Sequence, residues 1–119
     1  MAALISDLMF ASRIQAPLQA AGHELLLCST PEQLEERLDG TELVIVDLTD
    51  EVGARIGLVE GLNESGALRG VPTLAVYAHV EAEVRERALG AGFTAVVPRS
   101  RMAREGDRLV ARLLAESSA

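Results

Sequence analysis

Five short runs of apolar residues, unbroken by polar alternation, constrain this chain more than any other feature: "AALIS" at 2–6, "LLLCS" at 25–29, "LVIV" at 43–46, "TLAVYA" at 73–78 and "TAVVP" at 94–98. A strand with one wet face alternates apolar with polar residues. Continuous runs suit strands covered on both faces, as in a parallel sheet. Between the runs, apolar residues return at helical spacing: Ile14, Leu18 and Ala21, then Leu34 and Leu38, then Val80, Val84, Ala88 and Ala91, and last Leu109, Val110, Leu113 and Leu114. Each of these segments has one face to bury and one to wet.

The punctuation agrees. Gly22, Gly40 and Gly92 stand where left-handed helix caps are expected, and Thr30 followed by Pro31 reads as an N-cap with proline at the first helical position. Residues 49–71 are the weakest segment. Ile56, Val59 and Leu62 support a helix, but glycines at 53, 57, 61 and 66 weaken it, so it is expected to be short or mobile. The expected fold is α/β, a doubly wound parallel sheet of five strands with helices on both faces, and the length of 119 residues supports one domain over 1–119.

Composition narrows the function classes. The formal charge is −7, which disfavours duplex nucleic acid and anionic membrane surfaces as partners. No run approaches the roughly 20 apolar residues of a membrane span, and "MAALISDLMFASRI" lacks the basic start of a secretory leader. The one cysteine, Cys28, cannot pair within the chain and reads as a buried strand residue, in keeping with a cytoplasmic location. All eleven basic residues are arginine, so the chain has no lysine.

In an open parallel sheet, function gathers beyond the carboxyl ends of the strands, where strand order reverses. Asp7 follows the first run and Asp47 closes the third, so neighbouring strands would bring both carboxylates into one crevice. The plainer alternative is that Asp7 caps the helix beginning near Met9, and that Asp50, or Asp47 itself, is a loop residue or the N-cap of the next helix. Other motifs are weak. "GAGFTA" at 90–95 precedes a strand, whereas a dinucleotide fingerprint follows one. His23, His79 and Cys28 have no zinc spacing, and His79 reads as a solvated loop residue near the crevice. There is no phosphate loop with Gly-Lys and no nucleophile elbow.

The sequence "ELVIVDL" ending in Asp47, the lead "ALRGVPTLAV" and the segment "ALGAGFTAVV" together resemble the receiver domain of two-component response regulators across nearly the whole chain. The resemblance implies a flavodoxin-like sheet of order 2-1-3-4-5. It matches Asp47 to the phospho-accepting aspartate and Asp7 to the first of an acidic pair holding Mg²⁺, with the Thr49 carbonyl as a further ligand. A hard cation with oxygen ligands is what phosphoryl transfer to a carboxylate calls for.

The departures fall in the same crevice. Leu8 replaces the second acid of the pair, Tyr77 replaces a small hydroxyl residue at the end of strand four, and Arg99 in "VPRS" stands near the family's lysine with the proline order reversed. A guanidinium is a good anion partner but no copy of a compact ammonium. The resemblance with these departures implies a stand-alone receiver-like signalling module, bacterial in type and not an enzyme. It would act by protein contact with degenerate phosphorylation chemistry, its partner a signalling protein or histidine kinase.

One alternative is a true phospho-acceptor with weak Mg²⁺ binding through Asp7 and Asp47. Another is a small-molecule-binding α/β protein using the same crevice. Arg101, Arg104, Arg108 and Arg112 recur at steps of three or four, so they are expected to form one stripe of the last helix opposite Leu109, Val110 and Leu113. That stripe is the expected interaction face, with a homodimer as one use of it. Glu81, Glu83 and Glu86 lie on the helical segment before it.

Overall fold

The computed structural model describes residues 1–78 and 82–118. Strands and helices alternate as β1 (Ala2–Leu4), α1 (Leu8–Ala20), β2 (Leu26–Cys28), α2 (Pro31–Glu36), β3 (Val44–Asp47), α3 (Val52–Ser65), β4 (Thr73–Tyr77), α4 (Ala82–Gly90), β5 (Ala95–Pro98) and α5 (Arg99–Ser118). The strands pair in parallel in the order β2-β1-β3-β4-β5. Leu4 aligns with Cys28 on one side and Val46 on the other, Asp47 with Val76, and Tyr77 with Pro98. This is the expected doubly wound sheet.

Side chains alternate across each strand and feed two apolar layers. Ala3, Ile45, Leu74, Val76 and Val97 point into one, which is closed by Phe10, Ala11, Ile14 and Leu18 of α1 and by Met102, Leu109, Val110 and Leu113 of α5. Leu4, Val44, Val46, Ala75, Tyr77 and Val96 point into the other, with Leu34 of α2, Ile56, Val59 and Leu62 of α3 and Ala88 of α4. The unbroken apolar runs follow from this two-sided cover. Val44, Ile45 and Val46 of β3, the middle strand, are fully buried.

Several local expectations are corrected. Ala21 is exposed, being the C-cap of α1, and the buried stripe of that helix runs through Phe10, Ala11, Ile14 and Leu18. Leu38 lies past the end of α2, packed at the edge of the second layer. The helix expected to be short or mobile is α3, and it runs for 14 residues. Gly53, Gly57 and Gly61, spaced by four, all fall on its exposed side, so they lower helix propensity without removing anything from the core. Gly66 closes α3 with a left-handed φ of 78°. Val80, Glu81 and His79 lie outside the described residues, and Glu83 and Glu86 are exposed on α4.

α2 is only six residues long, and its start is fixed by a reciprocal pair. The Gln33 amide donates to the Thr30 hydroxyl at 3.2 Å, and the Ser29 amide donates to the Gln33 side chain at 2.8 Å. Among the described residues no helix is long and apolar enough to cross a membrane.

Candidate functional site

The order reverses between β1 and β3: from β1 the sheet extends to β2 on one side and through β3, β4 and β5 on the other. The crevice beyond their carboxyl ends is where Asp7 and Asp47 meet. Asp47 is the last residue of β3 and has the same strand parity as Ile45, so it faces the α1–α5 side. Its side chain is 2% exposed. Asp7 is the N-cap of α1, and its Oδ1 accepts from the Met9 amide at 3.0 Å and the Phe10 amide at 3.2 Å. The capping reading and the crevice reading of Asp7 are therefore both satisfied by one carboxyl group.

Arg99 joins the two acids. β5 ends at Pro98 and α5 begins at the next residue, so Arg99 starts a helix where a strand-end residue would otherwise stand. A cation at a helix N-terminus meets an unfavourable dipole, and two carboxylates offset it. Nη1 donates to Asp7 Oδ2 at 3.0 Å, and Nη2 donates to Asp47 Oδ2 in a short ion pair. The guanidinium also lies over the Phe10 ring, 4.6 Å from its centroid. Burial opposes the charge on Arg99, but the Asp47 and Asp7 carboxylates outweigh it and hold the pKa above the ordinary arginine value. Asp7 is held below the ordinary carboxylate value, first by the Phe10 amide and then, against the desolvation that ranks next, by Arg99 and the Met9 amide.

A second arginine, which the sequence reading missed, completes the crevice wall. Arg55 of α3 is 3% exposed. It donates to the Asp47 carbonyl oxygen at 2.6 Å and to the Ser6 hydroxyl at 2.5 Å, with Glu51 at 3.8 Å on its outer side. A signal was present: Arg55 falls three residues after Val52 and four before Val59, on the face that the apolar spacing marks as buried.

The other expected site residues separate. Thr49 is adjacent, since its amide donates to Asp47 Oδ1 at 3.0 Å while its buried hydroxyl has no partner among the described residues. Leu8 is the first residue of α1 and is 74% exposed, with Met9 beside it at 80%. Tyr77 has the parity of Ala75 rather than Val76, so its ring enters the second apolar layer and not the carboxylate cluster.

Arg101, Arg108 and Arg112 do form a stripe on α5, but it borders Leu109 in a shallow groove rather than opposing it. Glu105 pairs with Arg101 at 3.3 Å and Arg108 at 3.2 Å, and Glu116 lies 3.8 Å from Arg112. Arg104 is exposed.

All four carboxylate oxygens thus have protein donors: two sets of backbone amides on the Oδ1 atoms and one guanidinium across the Oδ2 atoms. The Leu8 side chain offers no oxygen. The residues present do not fit a Mg²⁺ ion, which needs free oxygen ligands. Among the described residues no three metal-ligating side chains converge anywhere.

No family model matches the chain, and no curated protein matches it. Solved structures do. A response regulator from Thermotoga maritima is 12% identical with a TM-score of 0.81, covering 96% of this chain and 95% of its own. HP1043, an orphan response regulator of H. pylori, is 16% identical with a TM-score of 0.79 over 95% of this chain and 93% of its own. The receiver domain of NtrX from Brucella abortus is 14% identical with a TM-score of 0.79 over 95% of this chain and 96% of its own. With these TM-scores over nearly its whole length, this chain has the fold of response-regulator receiver domains.

Proposed function

We propose that the chain is a receiver-fold signalling module that works by contact with another protein and not by accepting a phosphoryl group. The observation that carries this reading is the Arg99 guanidinium seated across both carboxylates of the crevice. A carboxylate attacks phosphorus through an unshared oxygen and needs a metal to neutralise the transferring group. Here the buried Asp47 has Oδ1 turned to the Thr49 amide and Oδ2 to Arg99. The contact surfaces proposed are the mouth of the crevice, where Leu8 and Met9 stand exposed beside Arg13, and the arginine stripe of α5. The partner proposed is another signalling protein, a histidine kinase or a second copy of the chain.

The position of Asp47 at the carboxyl end of the middle strand favours a second reading, a phospho-acceptor that first displaces Arg99. One experiment separates the two. The chain is incubated with acetyl phosphate and Mg²⁺ and its intact mass is measured. The proposed reading expects no adduct. A labile phosphoryl adduct that disappears in Asp47→Asn would establish the second reading instead.

A further inference from the structure

Charge is spread unevenly over this chain. Residues 23–42 contain six carboxylates and one arginine, so −5 of the formal −7 falls on the edge formed by β2, α2 and the turn into β3. Two adjoining grooves are cut into that edge. One, of about 360 Å³, separates the C-terminal ends of α2 and α3 and is lined by Glu35, Glu36 and Asp39 together with Leu38. The other, of about 410 Å³, continues past Glu36 and Asp39 to Glu24, Glu42 and the exposed Leu26 of β2. Among the described residues none of these five carboxylates is in an ion pair. The nearby cations are turned elsewhere or outnumbered. Arg37 donates to the Leu27 carbonyl at 2.9 Å, the Met1 ammonium donates to the Glu24 carbonyl at 2.8 Å, and Arg69 stands alone in a groove with three acids. Neither α2 nor α3 has a basic residue in its last turn, so two negative helix ends add to the field there.

The opposite charge is on α5. Arg101, Arg104, Arg108 and Arg112 share their stripe with only two carboxylates, and Glu105 serves two of the arginines at once, while Glu116 faces Arg112 and Asp107 stands exposed to one side. α5 covers β4 and β5 in the first apolar layer, whereas α2 covers β1 and β2 in the second. Stripe and grooves therefore occupy diagonally opposite corners of the sandwich.

We infer that the occupant of the acidic grooves is α5 of a second copy of this chain, docked head to tail. This rests on the reading of the arginine stripe as a contact surface, as proposed above, and names what it contacts. Each guanidinium is a planar donor matched to a carboxylate, and its apolar stem would lie along Leu26 and Leu38. Because the two patches lie at opposite corners, two copies cannot make both contacts at once. Every added copy leaves one stripe and one groove open, so assembly continues past two and does not close as a symmetric pair. A contact built on exposed charges is weak and sensitive to salt.

Sedimentation velocity of the whole chain, over a range of concentration and salt, is the test. At an ionic strength of about 0.01 M, where charges are felt over about 30 Å, the mean mass should climb with concentration past that of a dimer. At about 0.15 M, where that reach is about 8 Å, the association should weaken at least tenfold. Glu36→Arg with Asp39→Arg spoils the groove and keeps the stripe, and Arg104→Ala with Arg108→Ala does the reverse. All four side chains are exposed, and circular dichroism checks that both variants are folded. Each variant alone is expected to associate at least tenfold more weakly than the wild type. Their mixture should form a 1:1 dimer that grows no further, because only one intact groove meets one intact stripe.

A wild type that stays monomeric at low salt up to about 1 mM would overturn the inference. So would a groove variant that associates as the wild type does, which would mean that stripe meets stripe, or a mixture that stays monomeric. A monomeric wild type leaves the phosphate-independent reading standing with a different protein as partner, and the acetyl phosphate experiment tests that reading on its own.

Discussion

Arg55 donates to the main-chain carbonyl of Asp47 at 2.6 Å, so the helix after β3 is tied back to the strand end from which it departs. The same guanidinium reaches the Ser6 hydroxyl at 2.5 Å, just past β1. One buried cation therefore pins α3 to the two strands that flank the switch point, from the side opposite Arg99. The Arg55→Met variant keeps the apolar stem and leaves the Asp47 carbonyl and Ser6 without their charged donor. We expect it to lose about 2–3 kcal/mol in urea unfolding, the cost of a buried hydrogen bond to a charged group. A loss within the error of the measurement would mean that water replaces the guanidinium freely.

The sequence made the sheet legible because burial on both faces leaves unbroken apolar runs, and because the switch point follows from strand order. It placed Asp7, Asp47 and Arg99 in one crevice but did not say that the arginine would bridge the acids. That depended on α5 starting directly after Pro98, with no loop between strand and helix. Tyr77 ends β4 beside the crevice, but strand parity sends its ring into the opposite layer, which proximity to a strand end does not reveal. Arg55 stands on the buried face of its helix, but its partners lie 8 and 49 residues away, so the spacing that buries it does not name what satisfies it. α3 is longer than its glycine content suggests because Gly53, Gly57 and Gly61 all occupy its exposed face.

Asp7 carries two roles that one substitution separates. Asn is as good an N-cap as Asp, so Asp7→Asn keeps the acceptor for the Met9 and Phe10 amides while removing both the charge and the second acceptor oxygen that face Arg99. In the native chain the Asp7 pKa is lowered from 3.8. A lowered carboxylate pKa contributes stability that is present above the unfolded value and is lost as pH falls through the folded value. The wild type should therefore be more stable than Asp7→Asn at pH 7, and the difference should shrink below pH 3.8 as both chains carry a neutral group. Urea midpoints measured in parallel from pH 7 downward check this, and a gap that widened in acid would contradict it.

The turn between α4 and β5 is built for a residue without a side chain. Gly92 has φ of 105°, and a Cβ there would run into the Asn63 amide, which donates to the Ala91 carbonyl at 3.2 Å. Gly92→Ala should cost about 1–3 kcal/mol, combining left-handed strain with the steric conflict. Adding Asn63→Ala relieves the conflict but not the strain, so urea unfolding of the double variant should recover part of the loss. Full recovery would assign the whole cost to the contact.

Leu8 offers the opposite test, a substitution that should stabilise. Leu8 is 74% exposed and opens α1, whose first turn contains no acidic residue. Replacing it by Asp gives up little buried apolar surface and places a negative charge against the positive end of the helix. Such a charge contributes about 0.3–1 kcal/mol at low ionic strength. Leu8→Asp should therefore raise the urea midpoint modestly, and the gain should fade as salt is added, because screening weakens an exposed charge. If Leu8→Asp is instead destabilising by a similar amount at low salt, repulsion from Asp7, its chain neighbour, outweighs attraction to the helix end. The Arg99 guanidinium would then be too fully committed to Asp7 and Asp47 to neutralise a third carboxylate at the crevice mouth.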